Sequence, residues 1–403
     1  MRSRLAVVAL SLGLACPACS SLTPGGSHAP AAGVSPPATA RFPATAGGVA
    51  APLSCPARVF ARLTEAQRVG QLFLVGFEGD PVSEVARTEA AYHFGSWLFA
   101  ANGTAGVTGI GQLTRAIQRL ASSRATGKVR FFVAANQEGG EVQALRGPGF
   151  QAIPSAPVQG QLPAATLQRQ VEAWGRELRS AGVNLDLAPV LDVVAPGTAS
   201  QNQPIGALGR EFGDSPVTVA THGVAFIRGM REAGVATTAK HFPGLGRVRG
   251  NTDFSAGVVD TVTRPDDPYL RSYQAAVDAG VPLVMVALAT YTRIDPRHLA
   301  VFSPRVMRVM LRQQVYFHGV IVSDDLGAAA AVAGISPAAR AIDFLAAGGD
   351  LITSQTLAAA IAMDSAVTRH VAADSAFRTV VNSAVMRVLN AKQAYGLLPC
   401  SGR

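Results

Sequence analysis

The feature of this sequence that most constrains its fold is a repeated alternation of short apolar runs with longer amphipathic stretches, from about residue 70 onward. This alternation predicts parallel strands joined by crossover helices. The apolar runs occur at residues 71–77, 95–99, 129–135, 183–190, 236–241, 283–287, 319–323 and 350–353. Helical patterns occur near residues 107–124, 165–181, 215–233, 267–279, 303–316, 336–347 and 356–371. Eight β/α units in about 340 residues predict an α/β fold with a single (β/α)8 TIM barrel.

The main alternative to a barrel is a doubly wound open sheet. The sequence has no GxGxxG turn after the first apolar run and no P-loop, which are common signatures of nucleotide-binding open sheets. A chain of 403 residues with 48% hydrophobic content can bury one large core. The length would also permit two domains, but no Pro/Gly/Ser-rich break follows residue 55. We therefore predict one domain over residues 55–403.

The first 18 residues have the pattern of a signal peptide. A basic start, Met1–Arg4, precedes an apolar run, Leu5–Ala15, which is too short for a membrane span of roughly 20 residues. A cysteine at the expected cleavage position predicts a lipoprotein, with the acyl chains on Cys19. Cys19 is preferred over Cys16 because a proline follows Cys16. An ordinary secretory signal without lipid is the alternative.

Residues 19–54 are rich in Pro, Ala, Gly, Ser and Thr with almost no charge, and they predict a flexible tether. The two remaining cysteines, Cys55 and Cys400, stand at the ends of the predicted domain. In an oxidising compartment such a pair predicts a disulfide that joins the termini, with two free thiols as the alternative. No cysteine spacing typical of a metal site occurs, and we expect no metal or cofactor.

The formal net charge of the chain is +9, and its basic residues are scattered along the sequence. They form no cluster interleaved with aromatic residues, so nucleic-acid binding has little support. The charge is typical of a basic surface in a compartment that contains anionic wall polymer.

In a TIM barrel the chemistry is carried by residues at the carboxyl ends of the strands. Asp324 follows the seventh apolar run, where a nucleophile is expected, and Asp325 is expected to point elsewhere and cap the following helix. Lys240 and His241 end the fifth run and can donate hydrogen bonds to sugar hydroxyls, although His241 alone fits a structural role equally well. Asp192, after the fourth run, is expected to orient its neighbours.

Five motifs in this order along the chain resemble those of family 3 β-N-acetylglucosaminidases of the NagZ type. They are Gln137–Gly140 with Val142–Gln143, Leu187–Asp192, Gly209–Gly213, Lys240–Gly246 and Ser323–Leu326. The resemblance covers roughly residues 60–395, and the closest likeness is to lipoprotein members from actinobacteria.

This resemblance implies a retaining mechanism without metal or cofactor. Asp324 would attack the anomeric carbon to form a covalent glycosyl-enzyme, which water resolves with the help of an acid/base residue. Lys240, His241 and Arg210 match the family residues that bind N-acetylglucosamine in the −1 pocket.

The sequence departs from the family at the acid/base loop. The family pattern Asp-Ser-His is replaced by Asn251, Thr252 and Asp253, so the usual catalytic histidine is an aspartate here. A carboxylic acid can serve as general acid where burial or a nearby carboxylate raises its pKa. We therefore predict that Asp253 is the acid/base. The alternative is that Asp253 only caps a turn and that activity is weak.

Two further departures affect the sugar site. Asn136 replaces the aspartate that usually heads the Gln-Glu-Gly-Gly motif, and its amide can still bind a sugar hydroxyl. The arginine usually found a few residues later is Ala144, and Arg146 is the candidate substitute.

Together these features predict an exported glycosidase, anchored by lipid on the outer side of the cell membrane or partly shed. It would be a monomeric, exo-acting β-N-acetylglucosaminidase that releases N-acetylglucosamine from cell-wall glycans or muropeptides. One alternative is a catalytically weak lipoprotein that binds or senses wall fragments. Another keeps the covalent intermediate but transfers the sugar to phosphate or to a second sugar instead of water.

Overall fold

A computed structural model describes residues 53–77, 80–100 and 103–400. The predicted signal peptide, the predicted lipid attachment at Cys19 and all but the last two residues of the predicted tether lie outside these described ranges. Within the ranges, none of the helices combines the length and hydropathy that crossing a bilayer requires.

Eight parallel strands form the centre of the domain. They are β1 (Phe73–Gly76), β2 (Ser96–Phe99), β3 (Phe132–Ala135), β4 (Leu185–Asp186), β5 (Ala236–Phe242), β6 (Leu283–Val286), β7 (Val320–Ser323) and β8 (Ile352–Ser354). Each strand pairs with the next along the chain, and β8 pairs with β1. A parallel bridge between Val322 and Leu351 joins β7 to the start of β8 and closes the barrel. The predicted TIM barrel and all eight predicted strands are confirmed.

Helices surround the strands. The α-helices are α1 (Cys55–Arg62), α2 (Glu65–Gly70), α3 (Pro81–Tyr92), α4 (Gly106–Arg119), α5 (Ser123–Thr126), α6 (Ala156–Gln159), α7 (Ala164–Ser180), α8 (Pro216–Glu232), α9 (Arg271–Asp278), α10 (Pro337–Ala347), α11 (Leu357–Ala373) and α12 (Ser375–Ala394). A π-helix covers Arg305–Gln314. The sequence pattern did not predict α1, α3 or α12.

Short elements complete the fold. The 3-10 helices are Ala199–Gln201, Gly206–Leu208, Pro268–Leu270, Ala300–Phe302 and Ala330–Val332. Two small antiparallel pairings involve Gln137–Gly139 with Val142–Gln143, and Thr290–Tyr291 with Asp295–Leu299. Val259–Asp260 pairs in parallel with Thr290–Tyr291. These short elements lie in the segments that follow β3, β4, β5, β6 and β7, so they shape the end of the barrel where the strands terminate.

Local sequence explains where the crossover helices begin. Ser215 accepts a hydrogen bond from the backbone N–H of Thr218, and a proline occupies the first turn of α8. Ser336 caps α10 in the same way, again with proline in the first turn. A side-chain oxygen at the cap satisfies a backbone donor that the helix leaves free, and proline there loses no helical hydrogen bond. These signals position each helix directly after its loop at the carboxyl end of the barrel.

The two ends of the domain are joined covalently. Cys55, at the start of α1, forms a disulfide with Cys400, across a sequence separation of 345 residues. The predicted pairing is therefore confirmed. Closing so long a loop restricts the unfolded chain, which stabilises the fold by up to about 5 kcal/mol in the chain-entropy description.

A buried lysine fixes the C-terminal helix to the barrel. Lys392 of α12 is completely buried, and its Nζ donates to Gln71 Oε1 and to the carbonyl oxygen of Gly95, both at 2.7 Å. Burial lowers the pKa of Lys392 to about 7. The ammonium group thus ties α12 to the segments that enter β1 and β2.

Candidate active site

A cavity of about 260 Å³ opens where the carboxyl ends of the strands meet. Its polar lining includes the predicted site residues Asn136, Arg210, Lys240, His241, Asp253 and Asp324. Lys240 and His241 lie at the end of β5, and the others lie in the segments that follow β3, β4, β5 and β7, so the barrel itself brings them together.

Asp324 is the first residue after β7 and is half-buried in the cavity wall. Its backbone N–H donates to the carbonyl oxygen of Val286 at 3.1 Å, which fixes the residue against the end of β6. Its Oδ1 accepts from the backbone N–H of Asp325 at 2.9 Å. The carboxylate is therefore held at a rigid strand end with its remaining lone pairs available to the cavity.

Asp325 supports the backbone beside this carboxylate. Its Oδ1 accepts from the N–H of Gly327 at 2.8 Å and of Gln355 at 2.9 Å, and its Oδ2 accepts from the N–H of Ala328 at 3.0 Å. We expected Asp325 to cap a helix, but the chain forms a turn after it and no helix begins there. Asp325 instead ties the loop after β7 to the end of β8.

A buried ion cluster forms one wall of the cavity. Glu138 binds the guanidinium of Arg210 through two contacts of 2.8 Å, and its Oε1 lies 2.6 Å from Lys240 Nζ. Burial alone would raise the pKa of Glu138, but the charges of Arg210 and Lys240 outweigh it and hold the pKa at about 2. Glu138 is therefore a fixed anion that orients two cations toward the substrate.

Asn136 belongs to the same network, because its Oδ1 accepts from Lys240 Nζ at 2.9 Å. The amide oxygen thus accepts a hydrogen bond from the ammonium group, and the amide N–H groups of Asn136 remain as donors for a ligand. Glu138 belongs to the Gln-Glu-Gly-Gly motif, but the sequence did not predict it as a site residue. Its position two residues after Asn136, beyond the end of β3, is the signal that identifies it.

His241 is oriented by a buried carboxylate. Its Nδ1 lies 2.8 Å from Asp192 Oδ2, and Asp192 Oδ1 also accepts from the N–H of Leu245 at 2.7 Å and the hydroxyl of Tyr273 at 3.0 Å. Burial would raise the pKa of Asp192, but the charge and hydrogen bond of His241 and the backbone N–H of Leu245 lower it. With Nδ1 donating to Asp192, the Nε2 atom of His241 remains for the cavity. Asp192 therefore has the orienting role that its position predicts.

Asp253 lines the cavity and remains partly exposed to solvent. Its backbone is held on both sides, since its N–H donates to Asn251 Oδ1 at 2.9 Å and its carbonyl accepts from Ala330 N–H at 3.1 Å. Partial burial in the cavity wall and the negative charge of Asp324 raise the pKa of Asp253, and His241 opposes them. A carboxyl group with a raised pKa beside a second carboxylate is the arrangement that general acid catalysis requires.

The structure does not bring Arg146 to this cavity. Arg146 is exposed, and its side chain folds back over its own loop, where Nε donates to the Gln143 carbonyl at 3.0 Å and Nη2 to the Gly140 carbonyl at 3.2 Å. The sequence position suggested a sugar ligand, but these backbone acceptors hold the guanidinium away from the substrate. Tyr291, in the segment after β6, is buried and is not part of the cavity lining, and its hydroxyl donates to the carbonyl of Gly244 at 2.8 Å.

Within residues 53–77, 80–100 and 103–400, no three His, Cys, Asp or Glu side chains converge in the arrangement of a metal site.

The ion cluster predicts a large stability effect for Glu138→Gln. The neutral amide leaves Arg210 and Lys240 buried without their counter-charge, so we expect the free energy of unfolding to fall by about 3 to 5 kcal/mol at neutral pH. Glu138 has a lowered pKa, so it stabilises the fold above pH 4.5 and this contribution is lost as the pH falls toward 2. The difference between the two proteins should therefore shrink in acid. Denaturant unfolding across pH measures it.

The matched control is Glu141→Gln, which removes a carboxylate of the same loop that is exposed to solvent. It should change the free energy of unfolding by less than about 0.5 kcal/mol. Equal effects of the two substitutions would contradict the assignment of Glu138 as the anion that holds this wall together.

Comparison with known proteins identifies the family. The glycosyl hydrolase family 3 N terminal domain matches residues 64–391. A β-hexosaminidase from Stenotrophomonas maltophilia (strain K279a) is 35% identical over 231 residues, which are 55% of this chain and 65% of the relative. The chain thus spans just under two thirds of the length of that relative.

Solved structures give longer matches. The β-N-acetylhexosaminidase from Beutenbergia cavernae DSM 12333 superposes with a TM-score of 0.80 and 46% identity, over 82% of this chain and 99% of that one. M tuberculosis LpqI superposes with a TM-score of 0.73 and 26% identity, over 84% and 96% of the two chains. The family match and the barrel-end cavity agree: this chain belongs to glycosyl hydrolase family 3, and the relatives that it resembles over long stretches are β-hexosaminidases.

Proposed function

We propose that this chain is an exo-acting, retaining β-N-acetylglucosaminidase that releases N-acetylglucosamine from peptidoglycan-derived glycans or muropeptides. The observation that carries the proposal is one cavity that combines the strand-end carboxylate of Asp324 with the raised pKa of Asp253 and the cations of the Glu138 cluster. This set supplies a nucleophile, a proton donor and fixed hydrogen-bond donors for a sugar.

The proposed reaction has two displacements. In the first, an oxygen of Asp324 bonds to the anomeric carbon, the glycosidic carbon–oxygen bond breaks, and Asp253 gives its proton to the departing oxygen. In the second, Asp253 takes a proton from water, the water oxygen bonds to the anomeric carbon, and the bond to Asp324 breaks. Two inversions retain the β configuration and restore both carboxyl groups to their starting states.

Four residues are proposed to hold the terminal sugar. Lys240 and Arg210 keep N–H groups beyond those that bind Glu138, and His241 and Asn136 present Nε2 and amide N–H groups. Donors fixed by a buried anion cost little reorganisation when a ligand binds. The cavity of about 260 Å³ is smaller than typical ligand pockets, which start near 300 Å³, and this size favours one sugar unit at a chain end.

The experiment that tests the activity compares aryl N-acetyl-β-glucosaminide with the matching aryl β-glucoside, and then a muropeptide that ends in N-acetylglucosamine. We expect hydrolysis of the N-acetyl sugar to be faster than that of the glucoside, and release of free N-acetylglucosamine from the muropeptide. Adding phosphate tests the transfer alternative, because phosphorolysis would yield a sugar phosphate. Folded protein with no turnover of either aryl glycoside would contradict the proposal.

A second candidate function is sugar binding without efficient catalysis. The observation that favours it is the loop sequence Asn251-Thr252-Asp253, in which the proposed acid/base residue, Asp253, is partly exposed to solvent. Calorimetry with N-acetylglucosamine separates the two functions. Tight binding together with negligible turnover supports the binding protein, whereas turnover that depends on Asp324 supports the enzyme.

We also propose that the protein is exported and anchored by lipid at Cys19 on the outer side of the cell membrane. The support is the sequence of residues 1–21, in which a basic start, a short apolar run and Ala18-Cys19-Ser20 occur in order. Metabolic labelling with a fatty acid should mark the intact protein and should fail for Cys19→Ser. Labelling that persists in this variant would contradict the assignment.

A further inference from the structure

A second cavity, of about 590 Å³, opens at the opposite end of the barrel from the active site. Four arginines line it: Arg115 and Arg119 from α4, Arg130 before β3, and Arg179 from the end of α7. In this fold, helices end and strands begin at the amino-terminal face, away from the catalytic face. We call this cavity, with its four arginine side chains, the basic basin.

The basic basin has no counter-charge from the described part of the chain. No Asp or Glu is among the described residues that line it, and no described residue forms an ion pair or hydrogen bond with any of the four guanidinium groups. Three other polar side chains of the lining already have partners. Thr114 donates to the Ala181 carbonyl at 2.7 Å, and Gln118 and Asn184 donate to the Phe131 carbonyl at 2.9 and 3.1 Å.

The helix dipole explains the positions of only some of the four arginines. Arginine in the last turn of a helix is favoured by the helix dipole, which accounts for Arg119 and Arg179. The dipole does not account for Arg130, which lies in the loop before β3, or for the lack of any carboxylate. Like charges in one concave surface repel each other and focus a positive potential. Such a surface fits an anionic partner.

The covalent link between the two ends of the described domain points to that partner. The backbone N–H of Arg130 donates to the carbonyl of Leu397 at 2.9 Å, and Leu397 also lines the basic basin. Three residues later, Cys400 forms the disulfide with Cys55. A further cavity that Cys400 lines also contains the basic residues Arg58, Arg62 and Lys128. The first described residues of the domain are therefore linked to the same face as the basic basin.

We propose that the basic basin docks on an anionic phospholipid surface and thereby points the active site away from the membrane. Guanidinium groups form bidentate hydrogen bonds with phosphate. Each basic side chain near an anionic bilayer also contributes to the electrostatic attraction. An amino-terminal lipid anchor would keep the basin close to such a surface, so weak attraction would suffice to orient the domain. This inference goes beyond the proposed activity and takes its setting from the proposed anchor.

Vesicle sedimentation tests the proposal without the lipid. The protein is the oxidised chain from Ser20 to Arg403, which contains the whole proposed mature protein except the acylated Cys19. We expect it to bind phosphatidylcholine vesicles only when they contain phosphatidylglycerol, and to be released by salt. The variant R115Q/R119Q/R130Q/R179Q should bind at least about tenfold more weakly.

The matched control removes the same charge elsewhere, in the exposed arginines of R169Q/R228Q/R293Q/R305Q. It should keep most of the vesicle binding, and both variants should hydrolyse an aryl N-acetyl-β-glucosaminide at the wild-type rate if the proposed activity holds. Equal losses in the two variants would show attraction by net charge alone and would overturn the proposal. Binding of free pyrophosphate without vesicle binding would overturn it as well. Circular dichroism confirms folding, so a failed activity assay does not affect this test.

Discussion

Asp324→Ala is expected to lower kcat for an aryl N-acetyl-β-glucosaminide by about 10⁴-fold or more, the effect expected when a covalent nucleophile is removed. Asp324 is held by its backbone contact with Val286 and directs its carboxylate into the cavity at the end of β7. Alanine keeps the backbone and leaves a small space where the carboxylate was. Azide in that space should attack the sugar from the same face and restore turnover of activated substrates, giving the α-glycosyl azide.

The control is Asp343→Ala, which removes an exposed carboxylate from α10, outside the cavity. It should leave kcat unchanged. A fluoro-sugar inactivator adds an independent readout, because the labelled peptide should contain Asp324 and no other site. Labelling of a different carboxylate, or an azide product with the β configuration, would contradict a nucleophilic role for Asp324.

The barrel could be predicted from sequence because parallel strands in a barrel are buried on both faces and appear as continuous apolar runs. All residues of β1, for example, are buried, as are those of β7.

Helix α3 was not predicted because its sequence lacks a clear apolar pattern. Its sequence is rich in alanine and polar residues, and the residues that it buries include Glu84 and Thr88, so the apolar periodicity that marks an amphipathic helix is weak.

The site could be predicted only in part. The rule that strand ends carry the chemistry placed Lys240 and Asp324 in one cavity, and the family resemblance added Arg210. Neither argument gives information on which side chains pair. Glu138 and Arg210 are 72 residues apart, and only the folded barrel shows that they bind each other. The position of Arg146 was misleading, because backbone carbonyls of its own loop capture its guanidinium. Sequence spacing cannot reveal that local competition.

Asp253→Ala is expected to have an effect that depends on the leaving group. A disaccharide or muropeptide has a poorly acidic leaving group that must be protonated as it departs, so we expect kcat/KM to fall by about 10² to 10⁴-fold. A nitrophenolate leaves without a proton, so the first step on the nitrophenyl glycoside should change little. Steady-state rates on substrates of graded leaving-group acidity give the slope that measures this dependence.

The pH dependence of the wild type provides a second test of Asp253. Partial burial and the charge of Asp324 raise the pKa of Asp253, so more of it remains protonated at a given pH than of an ordinary aspartate. The acid form is required in the first step, and therefore kcat/KM for poor leaving groups should decrease as the pH rises through that raised pKa. This alkaline decrease should be absent from the residual activity of Asp253→Ala on the same poor-leaving-group substrate.

A matched control separates proton donation from the general loss of one negative charge. Asp266→Ala removes an exposed carboxylate whose Oδ1 lies 3.8 Å from Arg264 Nε. It should leave both the leaving-group slope and the alkaline decrease intact. If Asp253→Ala instead lowered kcat/KM equally for all leaving groups, Asp253 would only shape the loop, and the weak-catalysis alternative would gain support. A steep slope with wild-type binding of N-acetylglucosamine would establish that an aspartate performs the acid/base step in this barrel.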